Sequence, residues 1–336
     1  MNNRQIVIVT DVFDVHADRI IEILRERDRE PVRLNYSDVP DNVRLSCVLG
    51  GREWRGEIEI LTNDRVIETA RVGSVWWRKP GPFKLPGDLT GQERVFAAEE
   101  LRHAMDGLWN VLDCLWVSRP EAIRRAGYKI EQLDRAARLG FAVPRTVVTT
   151  DPGTVRAFHR ECHGDIVFKV LTEPYLAART YLETNDDVED FTPLVTPTTR
   201  ITEAELEMLD AVRTVPCQFQ ELLPRRSELR VTVIGEEVFA AELRPDDPGD
   251  APVDWRDAET TYRPADPPGE VVERCLRLTR GYGLNFAAID LAVTTDDRYV
   301  FLEINPNGQF LYVEDRVPEL RMGEAMATLL TSGVDG

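Results

Sequence analysis

Two acidic residues interrupt apolar strands in the stretch AAIDLAVTTDDRYVFLEIN. Side chains alternate faces along a strand, so Asp290 shares a face with Ala288 and Ala292, away from Ile289 and Leu291. On the second strand Glu303 and Asn305 take one face, and Val300, Leu302 and Ile304 the other. The midpoint between 290 and 303 falls between Asp296 and Asp297, which reads as a two-residue turn. A hairpin symmetric about that point sets Asp290 directly opposite Glu303. Cross-strand partners have Cβ atoms roughly 4.5–5.5 Å apart, and a half-buried carboxylate pair at that distance must share a proton or hold a cation. Asn305, an amide oxygen two residues further on, favours the cation. Hard oxygens without His or Cys select magnesium or manganese over zinc, and magnesium held by few carboxylates completes its shell with water and nucleotide phosphates.

Basic residues fit the same chemistry. Lysine is scarce, which makes Lys129 and Lys169 conspicuous. Lys169 sits between Phe168 and Val170 in a strand, where an unpaired ammonium is costly and a phosphate oxygen is a natural counter-charge. Lys129, at a helix start, would be unremarkable alone. The run Gln220-Glu221-Leu222-Leu223 ends a strand before Pro224, exposing a backbone C=O and N–H suited to an adenine edge. Glu228 and Arg230 share one face of the next strand, and Arg244 ends the one after it. Arginines beside a magnesium–phosphate site can stabilise charge developing on a transferred phosphoryl group. Arg225 and Arg226 read as surface residues. His159, Cys162 and His163 in HRECH have the i, i+4 spacing of a helical metal pair, but a polar helix end is the better reading.

The elements that must position these groups begin with strand, helix and strand over 5–34, an α/β opening. A hairpin turns at Gly50-Gly51, a strand covers 74–78, and a long helix is expected from about 91 to 115. A second unit starts near Ser118-Arg119-Pro120, with helical residues through Lys129 to Leu139, a strand at 145–149, and a helix opened by Asp151-Pro152. Residues 172–200 are Thr- and Pro-rich and read as a loop or irregular hairpin. From Cys217 the pattern is antiparallel sheet, interrupted by a loop expected over 245–268, where Pro245, Pro248, Pro252, Pro264, Pro267 and Pro268 cluster. The last helix buries Met322, Ala325, Met326 and Leu329.

The 336 residues suit two or three packed units, and 43% apolar content supplies a real core. A formal net charge of −18 repels phosphate backbones, so nucleic acid is not an expected partner. The five cysteines are scattered and odd in number, against a disulfide framework. No apolar run approaches the roughly 20 residues of a membrane helix, and no signal-peptide pattern opens the chain, so a cytoplasmic location and no membrane partner are expected.

Taken together, these residues resemble the ATP-grasp superfamily. The marks occur in order: Lys129, Lys169, QELL at 220–223, ELR at 228–230, the Asp290 strand, and LEINPNGQF at 302–310. More closely, the chain is similar to the ATP-grasp ligases that mature graspetides, the microviridin-type ribosomal peptides. That similarity takes in IVTD, HAD and RLN within 7–35, SVWWRKP at 74–80, SRPEAIRRAGYK at 118–129, VPRT at 143–146 and VDWR at 253–256. The resemblance implies an α/β (α+β) ATP-grasp fold with an N-terminal pre-ATP-grasp α/β domain (1–117), a central domain (118–200) and a C-terminal antiparallel-sheet domain (201–336). It places Lys129 and Lys169 on ATP phosphates, and Glu221 and Leu223, within Gln220 to Leu223, at the adenine hinge. It places Glu228 near the ribose, and Asp290, Glu303 and Asn305 on two magnesium ions. Arg230 and Arg244 would face the γ-phosphate and the acceptor carboxylate. It further implies a precursor peptide with leader and core segments as partner, Asp or Glu carboxylates joined to Ser/Thr hydroxyls or Lys amines, and a homodimer. An amino-acid or small-peptide ligase of the glutamate-adding type, a small-molecule kinase and a non-catalytic Mg-ATP-binding protein are the competing readings.

Overall fold

The computed structural model describes residues 4–172, 197–246 and 260–335. They form two compact units, one of residues 4–120 and 321–335, the other of the described residues between 121 and 320. The VDWR motif at 253–256 and most of the expected loop at 172–200 lie outside the described residues.

The first unit opens with β1 (Gln5–Thr10), α1 (Val15–Glu26) and β2 (Val32–Asn35). The Asp14 carboxylate caps α1 by accepting from the His16 and Ala17 N–H groups. β3 (Val43–Gly50), β4 (Glu53–Ile60) and β5 (Arg65–Glu68) form a separate antiparallel sheet, its first turn made by Gly51 at φ +72°. β6 (Val72–Trp77) and β7 (Leu115–Val117) complete a parallel sheet ordered β2-β1-β6-β7. The long helix α2 (Gly91–Val111) therefore stops short of the expected residue 115. The apolar run Leu115–Val117 joins the sheet beside β6 instead, and a short apolar run has no periodicity to distinguish such a strand from a helix end.

The closing helix, Met322–Asp335, belongs to this first unit, whereas the sequence placed it with the C-terminal domain. It packs on β1, β6 and α1, and Arg27 donates to both the Glu324 carboxylate and the Thr328 hydroxyl. Gly73 and Gly333 permit the approach, since a Cβ on either would lie 2.5 Å from the other's carbonyl oxygen. Leu329 is only half-buried; Leu330 takes the interior position expected of it.

The second unit carries α3 (Pro120–Ala126) and α4 (Lys129–Arg138), then β8 (Thr146–Thr149), α5 (Pro152–Glu161), β9 (Ile166–Lys169), β10 (Thr199–Arg200) and β11 (Cys217–Glu221). These strands form one antiparallel sheet ordered β10-β9-β11-β8, so the expected boundary at 200 falls inside a sheet. α5 ends at Glu161 and His163 lies beyond it at φ +56°, so His159 and His163 do not share a helix face. The larger sheet is built from β12 (Arg225–Ile234), β13 (Glu237–Pro245), β14 (Thr260–Pro264), β15 (Phe286–Thr294) and β16 (Tyr299–Asn305), ordered β14-β13-β12-β15-β16. β14 corrects the loop expected over 245–268: its Thr-Thr-Tyr run pairs with β13 as an edge strand, where Pro264 is tolerated. One face of this sheet packs Leu229, Val231, Ile289, Leu291, Phe301 and Ile304 into a core closed by the helix Gly269–Gly281 and by Ala136 of α4.

Candidate active site

Asp290 and Glu303 are directly paired across β15 and β16. The route to that pairing differs from the symmetric hairpin read from the sequence. The turn has three residues between Thr294 and Arg298, closed by the Thr294 N–H on the Arg298 carbonyl at 3.0 Å, with Asp297 left-handed at φ +60°. That shifts the register by one, and a bulge at Leu302 shifts it back before Glu303. The bulge also moves the core-facing set from Val300, Leu302 and Ile304 to Phe301 and Ile304.

Asn305 lies with the pair: its Nδ2 donates to Asp290 Oδ2 at 3.2 Å and to Glu303 Oε1 at 3.0 Å. Arg230 Nη1 donates to both Asp290 oxygens at 2.7 Å, and Nη2 to the Gln309 carbonyl at 3.0 Å. Lys129 Nζ donates to Glu303 Oε2 at 2.5 Å. Burial pushes the Glu303 carboxyl up, but Lys129, the Asn305 hydrogen bond and Lys169 outweigh it and hold Glu303 well below the usual range. Burial and the facing Glu303 push Asp290 up against the pull of Arg230. Glu303 stays charged, and Asp290 is the member that would take a shared proton. The donor set suits a hard divalent cation. Among the described residues no cluster of three or more His, Cys, Asp or Glu occurs, so an ion here would take two carboxylates, the Asn305 amide and oxygens from outside the protein.

Lys169 closes the cluster from the smaller sheet. Burial lowers its pKa, against Glu303 and Glu228, which raise it. Among the described residues its ammonium makes no hydrogen bond or ion pair. At the end of β11 the Leu222 N–H is taken by the Asp165 carbonyl at 2.9 Å, while the Leu223 N–H and C=O have no partner among the described residues. Within the expected stretch Gln220 to Leu223, Leu223 is thus a residue with both backbone groups open among the described residues. Gln220 is buried with Nε2 on Thr146 Oγ1 at 3.1 Å, and the Glu221 carboxylate accepts from the Arg145 N–H at 2.9 Å. Glu228 pairs with Arg225 at 3.0 Å.

Arg244 is not brought to this cluster. Opposite residues share a face, and the register sets Arg230 against Ala241, so Arg244 lies on the other face of the sheet. It is half exposed and pairs with Glu242 on its own strand at 3.0 Å. Arg225, read as surface, is instead 12% exposed in its side chain, pairs with Glu228 and lies within electrostatic reach of Lys169. Arg226 does lie outside, on Glu242 and Asp297.

Residues 5–124 match the family described as the MvdD pre-ATP grasp domain. No curated protein matches the chain. Among solved structures, macrocyclase MdnC of Microcystis aeruginosa MRC, bound with precursor peptide MdnA, is 28% identical, with a TM-score of 0.83 over 98% of this chain and 99% of that one. The chain belongs to the ATP-grasp superfamily. A Chryseobacterium gregarium RiPP-associated ATP-grasp ligase, in complex with ADP and a leader and core peptide, is 27% identical at a TM-score of 0.83, covering 98% of this chain and 97% of that one. Macrocyclase MdnB of Microcystis aeruginosa MRC is 26% identical at 0.78, covering 97% and 99%. Within the superfamily the homology is of the graspetide-ligase type.

One buried residue of this ATP-grasp site was missed from the sequence. Gln132, 1% exposed, donates from Nε2 to the carbonyls of Ala126 at 2.6 Å and Ile304 at 3.0 Å, and its Oε1 accepts the Ile304 N–H at 3.2 Å. β16 is an edge strand, so Ile304 has no neighbouring strand on that side. Gln132 substitutes for one between Glu303 and Asn305, while the Ala142 carbonyl accepts from Phe301 N–H at 2.8 Å nearby. A glutamine three residues after Lys129, on the same helix face, was the available signal. Gln132→Leu should lower the unfolding free energy by about 3 kcal/mol or more, because three backbone groups (the Ala126 and Ile304 carbonyls and the Ile304 N–H) lose their partner at about 1–3 kcal/mol each. A urea titration within about 0.5 kcal/mol of the parent chain would show that the anchor is dispensable.

Proposed function

We propose that the chain is an ATP-dependent macrocyclase, which activates Asp or Glu side chains of a ribosomal precursor peptide and joins them to Ser or Thr hydroxyls or Lys amines of the same peptide. The observation that carries this reading is the facing Asp290 and Glu303 pair with Asn305, ringed by Lys129, Lys169 and Arg230. Supporting it, relatives at 27–28% identity and full length hold a precursor peptide, or ADP with leader and core peptides.

A carboxylate is a poor electrophile because its leaving group would be an oxide. In the first step a carboxylate oxygen bonds to the γ-phosphorus, the bond from that phosphorus to the β,γ-bridging oxygen breaks, and ADP leaves. In the second the hydroxyl or amine bonds to the acyl carbon, the carbon–oxygen bond to phosphate breaks, and phosphate departs as the nucleophile loses its proton. The protein supplies position and charge neutralisation. Lys169 and Lys129 hold the phosphates, Leu223 offers to the adenine edge the N–H and C=O that have no partner among the described residues, and Glu228 lies toward the ribose. Asp290, Glu303 and Asn305 are the groups that would hold magnesium, which when bound would supply positive charge to neutralise the phosphates. Arg230 keeps Asp290 in place from the Gln309 loop and faces the reacting phosphoryl group. Arg244, on the opposite face of the sheet and paired with Glu242, takes no part in this step.

Incubation with ATP, magnesium and the peptide encoded beside this chain tests the reading by mass spectrometry and nucleotide analysis. Each ring should remove one water from the peptide, with ADP accumulating. AMP in place of ADP would exclude the acyl-phosphate route, and a peptide that gains an amino acid would identify a glutamate-adding ligase.

A further inference from the structure

The smaller sheet of the second unit has one face in a core of Ile166, Phe219 and Val155, with Phe168 and Val147 against it. Its other face carries Thr146, Val148, Val167, Lys169, Gln218 and Gln220, by register. Two glutamines on that face behave differently. Gln220 spends its amide on Thr146 Oγ1. Gln218 is 3% exposed, and its buried Oε1 has no hydrogen-bond partner among the described residues. A buried acceptor without a donor is destabilising, and native interiors hold few of them. Directly opposite Gln218 in the register stands Lys169, whose ammonium also lacks a partner among the described residues. Cross-strand side chains of one face start roughly 5 Å apart, so each unsatisfied group has its complement within reach: an ammonium with three N–H donors and one carboxamide oxygen.

We propose that Gln218 is a positioning residue for Lys169, its Oε1 receiving one ammonium N–H while the others meet a nucleotide phosphate. The proposal rests on the ATP-binding reading of this cleft and adds to it a residue outside the recognised marks. Lys169 also lies within electrostatic reach of Glu303 and Glu228. A phosphate that competes for the ammonium draws it toward the glutamine side, and fixing one N–H on Oε1 aims the remaining two.

Calorimetric titration of the full chain with ADP and excess magnesium tests this, in the parent, Gln218→Leu, Lys169→Met and the double variant. Gln218→Met serves as a second apolar replacement of closer shape. Either Gln218 variant should weaken ADP binding by about tenfold, the worth of one hydrogen bond to a charged group. In the Lys169→Met background the same change should cost less than about twofold, because a group acting through Lys169 has nothing left to act on. The nucleotide-free melting temperature should hold or rise, since an unsatisfied buried oxygen is removed. Unchanged ADP affinity in both apolar variants overturns the assignment, and so does an equal loss with and without Lys169. A fall in melting temperature that accounts for the lost affinity makes Gln218 a packing residue only. A parent chain that does not bind Mg-ADP overturns the ATP-site reading itself, an outcome separate from these.

Discussion

Glu303→Gln should reduce ATP-dependent turnover by roughly a thousandfold while the chain stays folded. Loss of metal-borne charge stabilisation is worth several kcal/mol, and about 4 kcal/mol is three powers of ten in rate. Glutamine keeps the shape and an oxygen acceptor for the Asn305 amide, so the Asp290 side of the site remains supported by Arg230. What changes is charge: the proposed cation site loses the carboxylate that Lys129 and Lys169 hold ionised, and Lys129 loses its ion-pair partner. The freed Lys129 gives the variant a signature of its own. Binding of ADP without magnesium should persist or strengthen, whereas the gain on adding magnesium should vanish. Calorimetry at varied magnesium together with ADP release measures both quantities. Parent-like turnover with unaltered magnesium dependence would remove Glu303 from the metal site. Asp290→Asn should act in the same direction on turnover, but it leaves Arg230 buried without its counter-charge, at about 3–5 kcal/mol of stability, so it separates binding from folding less cleanly.

Lys169→Met should weaken ADP binding in the presence of magnesium by about 10- to 100-fold, the range for losing charge-assisted contacts worth about 1.5–3 kcal/mol. The same substitution should leave the nucleotide-free protein as stable as the parent or more so. Burial disfavours the Lys169 ammonium and no described residue pairs with it, so methionine removes a desolvated charge and keeps the aliphatic stem. Lys129→Met offers the contrast, because Lys129 is ion-paired to Glu303 at 2.5 Å and its loss leaves that carboxylate beside Asp290 with less compensation. Opposite signs on stability with the same sign on nucleotide affinity are the expected pattern. A drop in melting temperature for Lys169→Met comparable to that of Lys129→Met would mean that Lys169 is a structural cation.

Much of the site was legible because charge in an apolar strand is conspicuous one residue at a time. Lys79, Lys84, Lys129 and Lys169 are the only lysines in the chain; one pairs with Glu303 and another acts on it electrostatically. The opposition of Asp290 and Glu303 was also legible, although by a simpler path than the molecule takes. A two-residue turn with no bulge and a three-residue turn with one bulge give the same partner for Asp290. Alternation reports which face a residue prefers, and it cannot separate two shifts that cancel. Arg225 and Arg244 went the other way. Near the ends of strands the pattern holds too few residues to say whether an arginine turns inward, and the register settled each against its first reading.

The sequence by itself determined which charged residues gather in the cleft, the order of the elements that carry them and the superfamily, since these rest on residue type and on spacing within single strands and helices. Only the tertiary structure decided that Gln132 supports Ile304 from 172 positions away, that Leu115–Val117 is a strand, and that the last helix packs on the first sheet. Those outcomes depend on which distant surfaces come to cover one another. Local periodicity reflects the solvent and core faces of an element, and it carries no record of the partner that does the covering.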